Sequence, residues 1–296
     1  MRILMNHLSM NRLIGVLLVI ISAASSGTLA IFGRYAYANG IDTFTLLFLR
    51  FTIAAILMGA FLAFRREGLP RGRTLVALIG MGAVGYVGQS FAYLSAIKYA
   101  SAGLVALLLY LYPIFVAILS VIFLKRKLTR LKVFALVLAT LGVALTANPQ
   151  GGEWMGIFLA LCAAGVYAVY IIIGTGVMQQ VSAIQSSTVI FASAGLVYGF
   201  LVLFYGPHWP TNSAGWFVVA GMALFATVIP VGTFLGGLKL IGPTDASLLS
   251  TLEPVVTVWL AALLFGELLR PIILLGGGLI LAAVILLTQS ELRRSP

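Results

Sequence analysis

The chain has 296 residues, 61% of them apolar and 8% charged, where a soluble domain carries roughly 45–50% and about 25%. That balance excludes a water-soluble globular protein and makes membrane spans of about 20 residues the natural unit of counting. Eighteen Lys and Arg against seven Asp and Glu give a formal charge of +11, which reads as a topology signal before it reads as a nucleic-acid surface.

Apolar runs between polar or Gly/Pro breaks predict ten spans, near 13–36, 43–64, 74–97, 101–124, 131–147, 153–176, 186–205, 214–239, 242–265 and 271–289. The first follows Arg2 and Arg12 and contains Ala23, Ala24 and Ser25, as a secretory leader would. Its apolar stretch outruns an h-region of roughly 7–15 residues, so it is expected to remain as the first span. With a cytoplasmic N-terminus the inner side holds Arg2, Arg12, Arg65, Arg66, Arg71, Arg73, Lys125, Arg126, Lys127, Arg130, Lys132, Lys239, Arg293 and Arg294. The outer side then has only Arg34, Lys98 and Arg270, and Arg50 lies inside span 2. This fourteen-to-three split places both termini in the cytoplasm of a multi-pass inner-membrane protein. Every basic cluster flanks a span, so topology accounts for the charge before a lipid or nucleic-acid patch does, and the partners expected are membrane lipids and a small-metabolite substrate, with no nucleic acid.

Sliding the chain against itself by 141 residues, without a gap, superposes Gly15 on Gly156, Gly33 on Gly174, Gly80 on Gly221, Met81 on Met222, Lys98 on Lys239 and Pro113 on Pro254. The chain is therefore expected to be one transport unit of two repeats, residues 1–148 and 149–296, each of five spans. Five is odd, so the halves must be inverted, and the charges agree. Loop 65–73 carries four basic residues where its mate 206–214 carries none. Inverted repeats are typical of secondary transporters, whose substrate sites lie near the midplane at the repeat interface.

Gly33 through Arg50, with Phe-Leu-Arg at 48–50, resembles the opening of the EamA type of the drug/metabolite transporter superfamily. So do Ala-Ile-Lys-Tyr-Ala-Ser-Ala at 96–102 leading to Tyr112-Pro113, and Gly-Leu-Lys-Leu-Ile-Gly-Pro-Thr-Asp-Ala-Ser at 237–247 leading to Leu252-Glu253-Pro254 and Gly266-Glu267. The resemblance covers nearly the whole chain and implies an all-α, ten-helix, 5+5 inverted-repeat carrier exporting amino acids or other small metabolites. It places helices 1, 3, 4, 6, 8 and 9 around a central cavity. Within the family the motifs look most like the aromatic amino-acid exporters of the YddG type. Two departures stand out: Tyr112 is the repeat mate of Glu253, and Arg126 that of Glu267, so no acidic pair is related by the repeat.

An ionisable side chain at the bilayer centre costs about 2.5–3.5 kcal/mol on insertion scales and so faces protein or water. Glu253, about 11 residues into span 9, lies roughly 16 Å deep in a core about 30 Å thick. Pro254 after it removes a backbone donor and leaves a carbonyl near Ser250 without its helical partner. Two readings stay open for Glu253: it binds a proton or a substrate ammonium, or it fixes helix packing. Arg50, roughly 10 Å in, is either an anchor that snorkels or pairs, or a carboxylate contact through its guanidinium fork. Lys98 and Lys239 at helix ends read as interfacial anchors, with gating as the other reading.

The presumed cavity helices carry Ser25 and Ser26 on span 1, Tyr86, Gln89, Ser90 and Tyr93 on span 3, and Tyr110 and Tyr112 on span 4. Span 6 adds Tyr167 and Tyr170, and span 8 adds Thr227 and Thr233. Tyr86, Gln89, Ser90 and Tyr93 recur at i, i+3, i+4 and i+7 and share one helix face, which must look away from lipid. Stacking surfaces beside a few fixed polar groups suit a planar apolar solute with a charged backbone. Taken singly, each residue also fits an interhelical hydrogen bonder.

Cys162 alone excludes an intramolecular disulfide, and no Cys/His cluster has metal spacing. Gly276, Gly277 and Gly278 read as a close helix contact, since no strand precedes them and no GK[ST] follows. No cofactor, metal or catalytic group is expected. A membrane enzyme would need placed acids, bases or a metal, and a channel would not need matched midplane prolines. The expected function is a secondary carrier exporting amino acids with aromatic or large apolar side chains, with protons as its expected coupling partner. Another small metabolite or drug-like solute is the alternative.

Overall fold

The computed structural model describes residues 2–124, 130–146, 153–177, 180–250 and 252–292, and they are helical with short connections. The clusters Lys125–Lys127 and Arg293–Arg294 lie outside the described residues, as do the side chains of Arg2, Arg12, Lys132 and Lys239. The helices are α1 (Arg2–Ser26), α2 (Leu29–Ala38), α3 (Thr43–Phe64), α4 (Gly72–Gly80), α5 (Val87–Ala96), α6 (Ala102–Leu109), α7 (Tyr112–Leu124) and α8 (Arg130–Thr146). The second half adds α9 (Trp154–Val177), α10 (Ala183–Tyr205), α11 (Ser213–Ala223), α12 (Ile229–Ser250), α13 (Leu252–Phe265) and α14 (Pro271–Leu292). Among the described residues, six segments are long and apolar enough to cross a membrane: Leu13–Ala38, Thr43–Phe64, Gly72–Ala96, Trp154–Gly174, Ala183–Tyr205 and Ser213–Gly237. Ala102–Val116, Leu252–Phe265 and Pro271–Ala283 are shorter apolar helices.

The elements begin where capping chemistry puts them. The Asp42 carboxylate accepts from the N–H groups of Phe44 and Thr45 at the start of α3. Ser182 and Gln185 form a capping box on α10, Asn212 caps α11, and Ser101 caps α6. Such side chains take donors that the first helical turn cannot pair internally.

Several expected spans are interrupted rather than continuous. Span 1 divides at Gly27 and Thr28, within a Ser-Ser-Gly-Thr run whose hydroxyls compete for backbone groups; Thr28 Oγ1 donates to the Ser25 carbonyl at 2.6 Å. Span 4 divides between α6 and α7, where Pro113 stands in the first turn of α7, the place in a helix that tolerates a missing N–H. In the second half α12 ends at Ser250 and α13 opens at Leu252, with Pro254 likewise in its first turn. The boundary expected near residues 239–242 is not a break, because the backbone stays helical to Ser250. Spans 3 and 8 each contain a π-helical stretch, Met81–Tyr86 and Leu224–Val228. Shifted by 141 residues these stretches overlap, so the repeat extends to the irregularities of the helices.

Packing repeats as well. A Cβ on Gly237 of α12 would fall 2.8 Å from the Gly15 carbonyl of α1, and one on Gly156 of α9 would fall 3.1 Å from the Ala96 carbonyl of α5. Gly15 and Gly156 are repeat mates, and so are Ala96 and Gly237. The two halves thus exchange the same contact, the reciprocity of a two-fold relation. The glycine run of α14 makes the close contact expected of it, with Gly142 of α8 set against the Gly276 carbonyl. The outer faces carry large exposed apolar side chains, among them Leu196, Phe200, Leu203 and Phe204 of α10, as a lipid-facing surface requires.

The halves are also tied at the ends of the bundle. At one end Glu67 accepts from the Ser182 hydroxyl and Gln185 donates to the Gly68 carbonyl. At the other, His208 Nδ1 lies 3.3 Å from Asp42 Oδ2 and the His208 N–H donates to Thr45 Oγ1. Burial alone would raise the Asp42 pKa, but hydrogen bonds from Thr45 and Phe44 and the facing His208 hold it below the ordinary carboxylate value. Stability from this carboxylate is therefore full above the unfolded value of 3.8 and is lost as the pH falls through the lower folded value. Asp42→Ala should cost about 1 kcal/mol at neutral pH. Thermal unfolding in detergent should show that deficit shrinking as the pH is lowered below 3.8.

Candidate functional site

Glu253 stands in the first turn of α13, where the positive end of the helix favours a carboxylate. Its place is set by contacts at three helix interruptions rather than by depth along one continuous helix. The Tyr110 hydroxyl, just past the end of α6, lies 2.7 Å from the Ser250 carbonyl and 2.9 Å from Glu253 Oε2. Tyr110 thus donates to the carbonyl that Pro254, lacking an N–H, cannot serve. A Cβ on Gly27, between α1 and α2, would fall 2.8 Å from the Glu253 carbonyl, and Thr257 Oγ1 donates to the Gly27 carbonyl at 2.8 Å. Glycine at 27 is what lets the two broken helices meet. Tyr110 has one hydroxyl proton between two acceptors, so a proton or a cationic group at Glu253 would supply the donor that this arrangement lacks.

From Tyr110 the aromatic residues run on as a chain. Tyr110 meets Tyr112 at 5.9 Å between centroids, Tyr112 meets Tyr167 edge-on at 4.8 Å, and Tyr167 stacks on Tyr170 at 5.9 Å. Tyr170 meets Tyr86 at 5.8 Å, and Tyr86 meets Phe51 at 5.4 Å. Phe51 stacks on Tyr198 and carries the Arg50 guanidinium 4.9 Å from its centroid. Five of the tyrosines singled out in the sequence therefore form one ribbon with Glu253 at one end and Arg50 at the other.

Arg50 does not snorkel. It is 3% exposed, and its Nε donates to Thr227 Oγ1 at 2.9 Å. Thr227 lies in the π-helical stretch and in turn donates to the Met222 carbonyl five residues back. Tyr86 and Tyr93 lie within electrostatic reach of both Arg50 and Glu253.

The repeat organises these residues in pairs 141 positions apart: Ser26 with Tyr167, Tyr86 with Thr227, Tyr112 with Glu253. In each pair one member is aromatic and the other polar. Arg50 has Phe191 as its mate, and Phe191 meets Tyr86 at 5.8 Å. The contact Arg50–Thr227 is accordingly the repeat-related counterpart of Phe191–Tyr86, polar in one place and aromatic in the other.

The remaining candidates sit nearby without joining the ribbon directly. Tyr93 and Ser90 are buried on α5, and Ser90 donates to Gln89 Oε1 at 3.1 Å. Ser25 and Ser26 close α1, half-buried. Thr233 is turned back onto its own helix, donating to the Ile229 carbonyl. Lys98 is exposed with its ammonium 4.7 Å from the Tyr37 ring, the posture of an anchor; burial of its stem lowers its pKa, against a nearby Asp42 that raises it.

Two features lay outside the sequence reading. Arg34 of α2 pairs with Glu267, which also accepts from the Ala102 and Gly103 N–H groups at the start of α6. A cavity of about 260 Å³ adjoins this junction, walled by Ser101, Gly103, Glu153, Glu267 and Arg270 among others, and no ribbon residue lines it.

The chain matches the EamA-like transporter family twice, over residues 13–148 and 154–289. An uncharacterized transporter of Archaeoglobus fulgidus is 27% identical over 90% of this chain and 94% of its own. The uncharacterized transporter YcbK of Bacillus subtilis is 24% identical over 89% of both chains. The uncharacterized inner membrane transporter YedA of Escherichia coli is 26% identical over 82% of this chain and 80% of its own. One crystal structure of a protein superposes with a TM-score of 0.66 over 95% of this chain and 99% of that one, at 21% identity, a likeness of fold.

The Tyr110 geometry orders the stabilities of two variants. Tyr110→Phe removes one hydrogen bond to the Ser250 carbonyl and should cost about 1 kcal/mol. Glu253→Gln keeps the Tyr110–Ser250 bond and should unfold nearly with the parent in a thermal melt in detergent.

Proposed function

Because the chain belongs to the EamA-like transporter family, we propose that it is a secondary carrier exporting small metabolites, above all amino acids with aromatic or large apolar side chains, by alternating access. In this reading ten helices form two inverted five-helix repeats, residues 1–148 and 149–296, with both termini in the cytoplasm and the inner membrane as the site of action. The fourteen-to-three distribution of basic residues supports the orientation, and the reciprocal contacts of the halves support the repeat.

The single observation that carries the substrate reading is the ribbon Tyr110–Tyr112–Tyr167–Tyr170–Tyr86, which starts at the Glu253 carboxylate. An aromatic side chain laid on the rings brings its ammonium, or a coupled proton, to Glu253. Ser25, Ser26, Gln89, Tyr93 and Thr227 complete the polar part of the lining. The rings give the selectivity, because an aromatic pair contributes about 0.5–1.5 kcal/mol beyond area burial and about 1.4 kcal/mol is a tenfold change in affinity.

Counterflow in proteoliposomes tests this. The parent should exchange Trp, Phe and Leu better than Ala, and Tyr167→Ala should weaken Trp and Phe several-fold while leaving Ala nearly unchanged. Equal loss for all four would make the tyrosines helix fasteners. Glu253→Gln should keep expression and reduce flux or its pH dependence. Orientation is read separately in a Cys162→Ser background: a cysteine at Asn212 should label from outside intact cells and one at Gly68 should not.

A further inference from the structure

We propose that Arg50 and Thr227 form an anion subsite that takes the carboxylate of the transported solute. The guanidinium is buried inside the span Thr43–Phe64, and among the described residues no carboxylate lies within ion-pair distance of it. The acidic groups near the halves' junctions are engaged elsewhere: Asp42 faces His208, Glu67 holds Ser182, Glu253 holds Tyr110 and Glu267 holds Arg34. A buried cation in a membrane span without a paired anion is retained for what it binds, since structure alone is served better by an apolar group. This chain contains the comparison. At the repeat-related position stands Phe191, which makes the corresponding contact with Tyr86 through its ring, so the fold accepts an apolar side chain at this crossing.

The hydrogen bonds also orient the group. Thr227 Oγ1 spends its proton on the Met222 carbonyl and its lone pair on Arg50 Nε. With Nε pinned and the guanidinium plane set against Phe51, the edge formed by Nη1 and Nη2 is the part of the fork that can receive two carboxylate oxygens side by side. A solute whose ring stacks at the Tyr86–Phe51 end of the ribbon thus meets a cation for its carboxylate. The amino-acid part of this inference rests on the carrier reading above, while the anion contact stands on Arg50 alone.

The test separates the two. Thermal unfolding of the purified full-length protein in detergent is followed with phenylacetate and with phenylacetamide, matched in ring and size and differing in charge. Phenylacetate should raise the midpoint of the parent and phenylacetamide should not. Arg50→Gln should weaken the apparent phenylacetate affinity about tenfold or more, and Arg50→Lys, which keeps the charge and loses the fork, should fall between. Should Arg50→Gln not fold, Thr227→Val, which frees Nε, should still weaken phenylacetate several-fold. In counterflow the parent should prefer phenylalanine to phenethylamine, and Arg50→Lys should narrow that preference. A parent that responds equally to acid and amide, or Arg50→Lys and Thr227→Val proteins that bind phenylacetate like the parent, overturns the subsite. Retained phenylacetate binding without flux of any amino acid upholds the subsite and overturns the amino-acid reading.

Discussion

A backbone carbonyl that loses its helical partner inside a membrane has no water to turn to, so it must find a donor in the protein. This chain meets that constraint with hydroxyl groups sent mostly from the opposite half. Ser22 donates to the Pro230 carbonyl, Thr257 to Gly27, Tyr110 to Ser250 and Tyr198 to Val87, all between 2.7 and 2.8 Å. The acceptors sit at helix ends or beside the π-helical stretches. The irregularities that open the helices are thus what binds the two repeats together, and they gather at Glu253, Tyr86 and Thr227.

Symmetry governs the backbone and asymmetry governs the chemistry. Mated glycine contacts, mated prolines and overlapping π-helical stretches recur across the 141-residue offset. At the centre the mates diverge, with Tyr167 against Ser26, Tyr86 against Thr227, Tyr112 against Glu253 and Phe191 against Arg50. Duplicated backbone supplies the shape of the crossing, and divergence of its side chains makes one wall aromatic and the other polar. A π-turn inserts a residue into the helix and re-aims the side chains after it. Tyr86 closes the π-helical stretch and joins Tyr170 and Phe51, while Tyr93, about two turns further along α5, stays outside the ribbon.

The legible part of this arrangement was the part written in repeats and periods. Apolar runs locate the long helices, the offset pairs Pro113 with Pro254, and the missing N–H of Pro254 points to the carbonyl near Ser250. The rest depended on pairings with no local trace. Arg50 meets Thr227 across 177 residues and Arg34 meets Glu267 across 233, and no spacing rule joins such positions. Gly27 carries little signal in a chain with 32 glycines, although it is the one that admits the Glu253 turn. The π-helical stretches were equally silent, since one extra residue leaves the composition of a span unchanged.

The ties at the two ends of the bundle differ in kind. At the Glu67 end they are neutral or singly charged hydrogen bonds, Ser182 to Glu67, Gln185 to Gly68 and Thr74 to Gln180, on half-buried or exposed groups. At the Glu267 end one carboxylate, mostly covered, holds the Arg34 guanidinium and two N–H groups that open α6, while Arg34 also lies 4.2 Å over the Phe265 ring. Exposed pairs contribute about 0–1 kcal/mol each, whereas charge-assisted bonds to a helix start that would otherwise be left unsatisfied contribute more. The Glu267 end therefore holds the stronger tie between the two halves. Glu267 also serves the Ala102 and Gly103 N–H groups of α6 beside the Ser101 cap, and α6 ends at Tyr110, whose hydroxyl meets the Glu253 carboxylate, so one short helix joins the two carboxylates.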